Sequence, residues 1–146
     1  MLQPIKVMTT IIDTFHNSGP QTVNGGSTIS VAFDTVTAGS NWNTFSDEYV
    51  CSYTGFYIFG FQLCCSGNTG TGTLLAKVIV NGVTKYSVES SFGTATSVVY
   101  VQSSGLSLTK NDVLYLTLTN NSTSPCTLQA GFPFSYNAQG EIKLLN

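Results

Sequence analysis

The side chains that could carry out acid, base or nucleophilic chemistry are few in this sequence and widely spaced. There is one histidine, His16, and a Ser-His or Cys-His pair would have to use it. No G-x-S-x-G nucleophile motif occurs. The seven acidic residues single out no pair of convergent carboxylates of the kind that a glycosidase needs. We therefore predict that the protein is not an enzyme.

The four cysteines are the remaining candidates for chemistry: Cys51, Cys64, Cys65 and Cys126. They form no C-x-x-C pair, which argues against zinc, and we predict no metal and no cofactor. Cys64 and Cys65 are adjacent and should face opposite sides of a strand. We favour the interpretation that the cysteines are small buried hydrophobic residues. A disulfide such as Cys65 with Cys126 stays an open alternative.

The charge of the chain limits its partners. Charged residues make up only 8% of the sequence, the net charge is −2, and the five basic residues are scattered lysines. Nucleic-acid binding normally requires a clustered basic face, so we predict no nucleic-acid partner. No apolar run approaches the roughly 18 residues of a membrane span. Because few charges keep copies apart, the composition instead favours self-association.

The elements that would position these residues are β-strands. Short segments of period two alternate with Gly, Asn and Ser turns, and about ten such strands indicate an all-β sandwich or jelly roll. The sharpest local signal is Val80-Asn81-Gly82-Val83. Asn-Gly tolerates the two positive φ angles of a type I′ turn, so this segment predicts a hairpin.

Two predicted strands, Phe56–Cys65 and Asp112–Thr119, are apolar on both faces, whereas a half-solvated antiparallel strand should alternate apolar with polar residues. One face can pack into the sandwich, and the other needs separate cover. A neighbouring subunit is the simplest cover. The alternative is that an N-terminal arm folds over it.

A break in the pattern between Asn17 and Gly26 divides the chain. We assign residues 1–26 to an N-terminal arm or edge strand that could serve as an anchor, and residues 27–146 to the jelly-roll domain. The first residues also lack the pattern of a signal peptide, so either the protein is released without Sec export or a leader has been removed and Met1 is not the native start.

The segment from Gly55 to Phe61 matches the G-x-Y-x-F-x-[FY] element of C1q-like domains. The run from Asn111 to Leu116 is similar to the strand that follows the family's G-[DE]-x-V-x-L turn, with Asn in place of Gly, and the ending from Gly140 to Leu145 resembles bacterial and viral members. Gly39 departs from the Asn that the family often has. The chain thus resembles the C1q/TNF-like family, of the type found in exosporium collagen-like glycoprotein heads, from about Ser27 to Leu145.

The resemblance implies a ten-stranded antiparallel jelly-roll sandwich that assembles as a homotrimer, with both two-faced strands in the sheet near the threefold axis. Calcium is not carried over, because the only adjacent acidic pair is Asp47-Glu48. The implied trimer interface comprises Phe56, Ile58, Val113, Tyr115 and Thr117. The implied sandwich core comprises Tyr57, Phe59, Phe61, Leu63, Leu114 and Leu116.

These observations favour a non-enzymatic structural protein, the trimeric head of a particle. The leading hypothesis is a virion component such as a penton, decoration, spike or tail-tip protein, which partners itself and contacts other capsid proteins through the arm. One alternative is an adhesive head that binds a host receptor or a carbohydrate. Another is a trimer on a bacterial spore or cell surface, in an extracellular setting. The recognition loops would contain Asn68, Thr69, Asn120, Asn121 and Ser122.

Overall fold

The protein folds as two packed β-sheets. The computed structural model describes residues 11–67, 71–92, 96–102, 105–129 and 139–145, and within these ranges it contains 14 strands and no helix. The prediction of an all-β jelly-roll sandwich is confirmed. The strands are β1 (Ile11–His16), β2 (Gln21–Val23), β3 (Thr28–Ser30), β4 (Thr35–Ala38), β5 (Trp42–Asn43), β6 (Glu48–Val50), β7 (Gly55–Ser66), β8 (Thr73–Val80), β9 (Val83–Ser91), β10 (Thr96–Gln102), β11 (Leu106–Leu108), β12 (Val113–Asn121), β13 (Cys126–Leu128) and β14 (Gln139–Leu145).

We call the two sheets A and B. Sheet A has the order β2-β13-β7-β14-β1-β4, and β10 and β11 also pair with β7. Sheet B has the order β5-β6-β12-β8-β9, and β3 also pairs with β12. The long strand β7 is central in sheet A: β14 and β13 pair along one edge, and β11 and β10 pair along the other. Strand β12 has the corresponding place in sheet B, between β8 on one edge and β6 and β3 on the other.

The residues expected to form an arm or edge strand contribute to sheet A. Strand β1 lies inside the sheet, paired with β14 on one side and β4 on the other, and β2 pairs with β13. Phe15 of β1 is only 2% exposed and stacks on Trp42 with ring centroids 4.4 Å apart. The boundary expected after Gly26 therefore falls inside the sandwich, because the break in the pattern contains the turn between β1 and β2. Residues 1–10 lie outside the described residues.

The core fills the space between the sheets. All six predicted core residues face it, and none is more than 4% exposed. Strands β7 and β12 place them there by alternation, which sends every second side chain inward. Trp42 adds a hydrogen bond within this core: its indole Nε1 donates to the carbonyl oxygen of Phe33 at 2.8 Å.

The predicted Asn-Gly hairpin is confirmed. Val80 pairs with Val83 across the turn, and φ is 49° at Asn81 and 81° at Gly82. Both values are positive, as a type I′ turn requires, and Asn and Gly are the residues that tolerate them best. The turn thus joins β8 to β9 without strain.

One carboxylate is buried in the sandwich. Asp13 of β1 is 0% exposed and accepts hydrogen bonds from Asn41 N at 3.0 Å and from the Tyr49 hydroxyl at 3.2 Å. Burial raises the pKa of Tyr49, and the negative charge of Asp13 raises it further. Tyr49 therefore stays a neutral donor, as a buried carboxylate needs.

Candidate interaction surfaces

The two strands that the sequence marked as apolar on both faces lie in different sheets. Strand β7 is in sheet A and β12 is in sheet B, so their outward faces point away from each other. The expectation that both strands belong to the one sheet near the threefold axis is therefore wrong: Phe56 and Ile58 lie on sheet A, whereas Val113, Tyr115 and Thr117 lie on sheet B. A period-two pattern shows which side chains of a strand share a face, but it does not show which sheet the strand joins.

The outer face of sheet A presents three large apolar side chains. Phe56 of β7 is 46% exposed, Ile12 of β1 is 42% exposed and Tyr100 of β10 is 50% exposed. The half-buried Ile58 shares their face, because it is two residues from Phe56 and is aligned with Ile12 through Lys143 of the intervening strand. We call these four residues the sheet A patch.

The sheet A patch is crossed by β14, which places Lys143 between Ile12 and Ile58 and Glu141 between Thr14 and Gly60. Tyr100 pairs with Gln62 and Gln102 pairs with Gly60, so amide and backbone groups flank the aromatic rings. The described outward side chains of β1, β7 and β10 include no aspartate, glutamate or lysine. Gly105 lets the chain pass close to Phe56, because an added Cβ at this glycine would collide with the Phe56 ring. The Phe56 ring therefore lies directly against the backbone at Gly105, while 46% of its surface stays exposed.

The outer face of sheet B also carries an exposed apolar side chain, Val50, which is 38% exposed and is paired with Val113. Tyr115 and Val113 are half-buried, and Thr117 is 9% exposed. Tyr115 is paired with Ile79, whereas Thr117 is paired with Lys77 of the same neighbouring strand. The apolar pattern of β12 is therefore partly explained by cross-strand packing within one molecule.

The residues expected in recognition loops are not equally available. Asn120 must be corrected: it is 0% exposed, and its Nδ2 donates hydrogen bonds to Val23 O at 3.0 Å and Ser124 O at 2.8 Å. Ser122 is half-buried and donates to Asn120 Oδ1, while Asn121 is exposed. Asn68 and Thr69 lie outside the described residues. The turn that Asn120 organises is therefore a structural element, and sequence composition alone could not separate it from a binding loop.

All four cysteines are buried and free, which confirms the interpretation that they are small buried residues. Burial, and then the negative charge of Asp112, raises the pKa of Cys51 to about 12. Burial also raises the pKa of Cys64. Cys65 and Cys126 differ from these two, because their thiols are hydrogen-bonded to each other.

The acidic pair that the sequence singled out sits beside a third carboxylate. Burial raises the pKa of Asp47, and the charges of Asp34 and Glu48 raise it further. Asp34 itself is held by Ser18, whose backbone N–H donates at 2.8 Å and whose hydroxyl donates at 2.6 Å. Across the described ranges no group of three His, Cys, Asp or Glu side chains could hold a metal ion. The same part of the chain contains no helix long and apolar enough to cross a bilayer.

Comparison with known proteins agrees with this architecture. The solved structures that share the fold include murine APRIL, with a TM-score of 0.62 and 13% identity over 94% of this chain and 100% of that one. They also include the globular domain of zebrafish complement 1qA, with a TM-score of 0.55 and 15% identity over 87% of this chain and 99% of that one. A third is Eiger TNF from S. frugiperda, with a TM-score of 0.62 and 14% identity over 94% of this chain and 93% of that one. No curated protein sequence matches the chain. The family model for the C1q domain matches residues 15–135, and the chain therefore belongs to the C1q domain family.

Proposed function

We propose that this domain is a non-enzymatic trimeric head that assembles through the sheet A patch. The observation that carries the proposal is the exposure of Ile12, Phe56 and Tyr100 on the outer face of sheet A in a single copy. Large apolar side chains that a single copy leaves in water on one face mark a candidate interaction surface. Domains of the C1q/TNF type form homotrimers, which makes two further copies of the chain the natural cover.

A closed threefold assembly would cover the patch with a neighbouring copy. A cyclic trimer uses a heterologous contact, in which one surface of each copy meets a different surface of the next. The patch runs across several strands of sheet A, and a neighbouring copy could cover Phe56 and Tyr100 while leaving the outer face of sheet B in water. The low charge of the chain, 8% of residues, removes most of the repulsion that would oppose this contact.

Light scattering on the purified chain tests the assembly directly. A trimer of the 15.6 kDa chain should have a mass of about 47 kDa. Phe56→Asp and Tyr100→Asp each place an unpaired charge in the proposed interface and should yield monomers. The matched control is Val83→Asp, since Val83 is 56% exposed but lies in the β9 hairpin of sheet B. The control should remain trimeric.

A second pair of variants separates the two sheets. Tyr115→Asp alters the outer face of sheet B, where the sequence had placed part of the interface. We expect it to remain trimeric, although it loses some stability because Tyr115 is half-buried. If Tyr115→Asp gives folded monomers while Phe56→Asp stays trimeric, the interface lies on sheet B and the proposal is overturned.

We further propose that the trimer is the head of a particle, with the virion as the leading setting. Support comes from a low-charge surface suited to self-association, on a domain whose acidic side chains and single histidine form no catalytic group that the sequence could identify. Residues 1–10 would serve as the anchor, since the rest of the expected arm belongs to sheet A. Deleting only these residues should leave soluble trimers that fail to incorporate into particles. Normal incorporation of the shortened chain would refute the anchor.

A further inference from the structure

The interior of the sandwich brings together two cysteines that are far apart in the sequence. Cys65 lies on β7 and Cys126 on β13, and these strands are antiparallel neighbours in which Cys65 pairs with Leu128. Leu128 and Cys126 are two residues apart and face the same side. Each of the two cysteines is 1% exposed, and the Cys65 thiol donates a hydrogen bond to the sulfur of Cys126. The two thiols therefore lie on the same inner face of neighbouring strands, where Cys126 is the diagonal neighbour of Cys65.

Asn120 supplies a second donor to the same sulfur. Its Nδ2 lies 3.6 Å from Cys126 Sγ and is fixed by its bonds to Val23 O and Ser124 O. The hydrogen bond from Cys65 lowers the pKa of Cys126, although burial acts in the opposite direction. A thiolate is the attacking species in disulfide exchange. Asn120 Nδ2 is thus placed to hold a thiolate at Cys126, so we assign the first attack to Cys126 and the second to Cys65.

We propose that Cys65 and Cys126 are a redox pair that a low-molecular-weight disulfide, such as glutathione disulfide, converts to an intramolecular disulfide. In the first step the Cys126 thiolate attacks one sulfur of glutathione disulfide and releases one glutathione thiolate. In the second step Cys65 loses its proton and attacks the Cys126 sulfur of the mixed disulfide, releasing the second glutathione thiolate. One disulfide bond is broken and one is formed overall, and the released glutathione takes up the two thiol protons.

The bond would fasten β13 to β7 and close a loop of about 60 residues. Such a long loop loses much of its freedom in the unfolded chain, so the oxidised protein should have a higher Tm than the reduced protein. Both cysteines face the core and not the sheet A patch, so oxidation should leave the mass of the assembly unchanged. Since the thiols are buried, exchange requires local opening and should be slow compared with exchange at an exposed thiol.

The test uses the full chain, folded and fully reduced, incubated with excess glutathione disulfide and analysed by intact mass and peptide mapping. We expect a product lighter by two hydrogen atoms, a peptide that links Cys65 to Cys126, a raised Tm, and reversal of all three by dithiothreitol. Cys64→Ser is the matched control, because Cys64 is buried in the same strand, and it should still form the product. Cys65→Ser and Cys126→Ser should not, and Cys65→Ala and Cys126→Ala replace any serine variant that fails to fold.

The proposal is overturned if the folded chain keeps four free thiols after its unfolded counterpart has been oxidised under the same conditions. A bridge that uses Cys51 or Cys64, or one that joins two chains, would overturn it as well. A bridge between Cys65 and Cys126 that forms but lowers the Tm would contradict the stabilising role assigned to it.

Discussion

Asn81 Nδ2 donates a 2.8 Å hydrogen bond to Asp112 Oδ1, and this contact joins the turn between β8 and β9 to the turn that precedes β12. Asn81 Oδ1 also accepts a hydrogen bond from Val113 N at 2.9 Å. On its other oxygen, Asp112 accepts from Thr109 N at 2.8 Å. The carboxylate therefore fixes two turns at the same end of sheet B, and its charged form is the one that this geometry favours.

The stability of the fold should therefore fall in acid partly through Asp112. The backbone N–H of Thr109, followed by the side chain of Asn81, lowers the pKa of Asp112 below its ordinary value of 3.8. A carboxyl with a lowered folded pKa contributes stability above its unfolded pKa and loses it as the pH falls through the folded pKa. Asp112→Asn should be less stable than the parent at pH 7, and the difference should shrink below about pH 4. Urea unfolding of both proteins at a series of pH values measures this difference in the free energy of unfolding.

Asp47→Asn is the matched comparison, because its effect on stability at neutral pH should have the opposite sign. The pKa of Asp47 is raised by burial and by neighbouring acids, so its charged form costs stability as the pH rises through the folded pKa. Removing the charge should leave stability at pH 7 unchanged or increased. Asn also tolerates the positive φ of 56° at this position. Equal destabilisation of the two variants at neutral pH would contradict both assignments.

Gly39 should not accept alanine, because the buried Asp13 leaves no room for it. Its φ is +82°, and an added Cβ would overlap the Asp13 carboxylate. Gly67 has nearly the same φ, +81°, but nothing lies within 4 Å of the added atom. We expect Gly67→Ala to cost about 1–2 kcal/mol from backbone strain alone, and Gly39→Ala to cost at least ~3 kcal/mol. Similar losses in denaturant unfolding would show that the contact with Asp13 has no effect.

Asn120 should behave as a core residue and its neighbour Asn121 as a surface residue. Replacing Asn120 by alanine removes the side-chain donor to Val23 O and one of the donors to Ser124 O, which also accepts from the Ser122 hydroxyl at 3.0 Å. Losing a buried hydrogen bond costs about 1–3 kcal/mol, so Asn120→Ala should lower the free energy of unfolding by about 1–3 kcal/mol. Asn121→Ala should change it by less than about 0.5 kcal/mol. Thermal or chemical unfolding of both variants decides between a structural turn and a recognition loop.

Trp42 should contribute through both its ring and its indole N–H. Trp42→Phe keeps an aromatic ring against Phe15 but leaves the carbonyl of Phe33 without its partner. We expect a loss of about 1–3 kcal/mol. Phe45→Leu is the control, because Phe45 is fully exposed at 100% and should be nearly neutral. A Trp42→Phe variant as stable as the parent would show that the hydrogen bond contributes nothing.

The local elements were the predictable part of this molecule. Alternation in β7 and β12 identified the core side chains, and the Asn81-Gly82 pair identified its hairpin. The short strands β2, β4 and β11, with three or four residues each, are too brief for a period-two pattern to be recognised. Buried Asp13 and Asn120 could not be predicted either, because polar residues enter a core only where distant partners satisfy them.

The interface residues were assigned to one sheet because the alternation of residues shows which side chains share a face of a strand, but not which sheet the strand joins. Phe56 lies on β7 and Tyr115 on β12, and both strands are apolar on both faces. Only their long-range pairing shows that the two strands belong to different sheets. The exposed Tyr100 was missed as a surface aromatic, since it belongs to a strand whose partner, β7, lies almost 40 positions earlier in the chain. The available signal was the position of this tyrosine between Val99 and Val101, which alternation would have placed on the inner face and Tyr100 on the outer face.

The pairing of β1 with β14 determines when sheet A can be completed during synthesis. Ile11 is aligned with Leu144, so the first and last described strands are hydrogen-bonded neighbours. On the ribosome, β1 must wait without its inner partner until nearly the whole chain has emerged, and closing so long a loop slows folding. A nascent chain that stalls before β14 would expose the unpaired edges of both β1 and β7, which are the edges most open to aggregation.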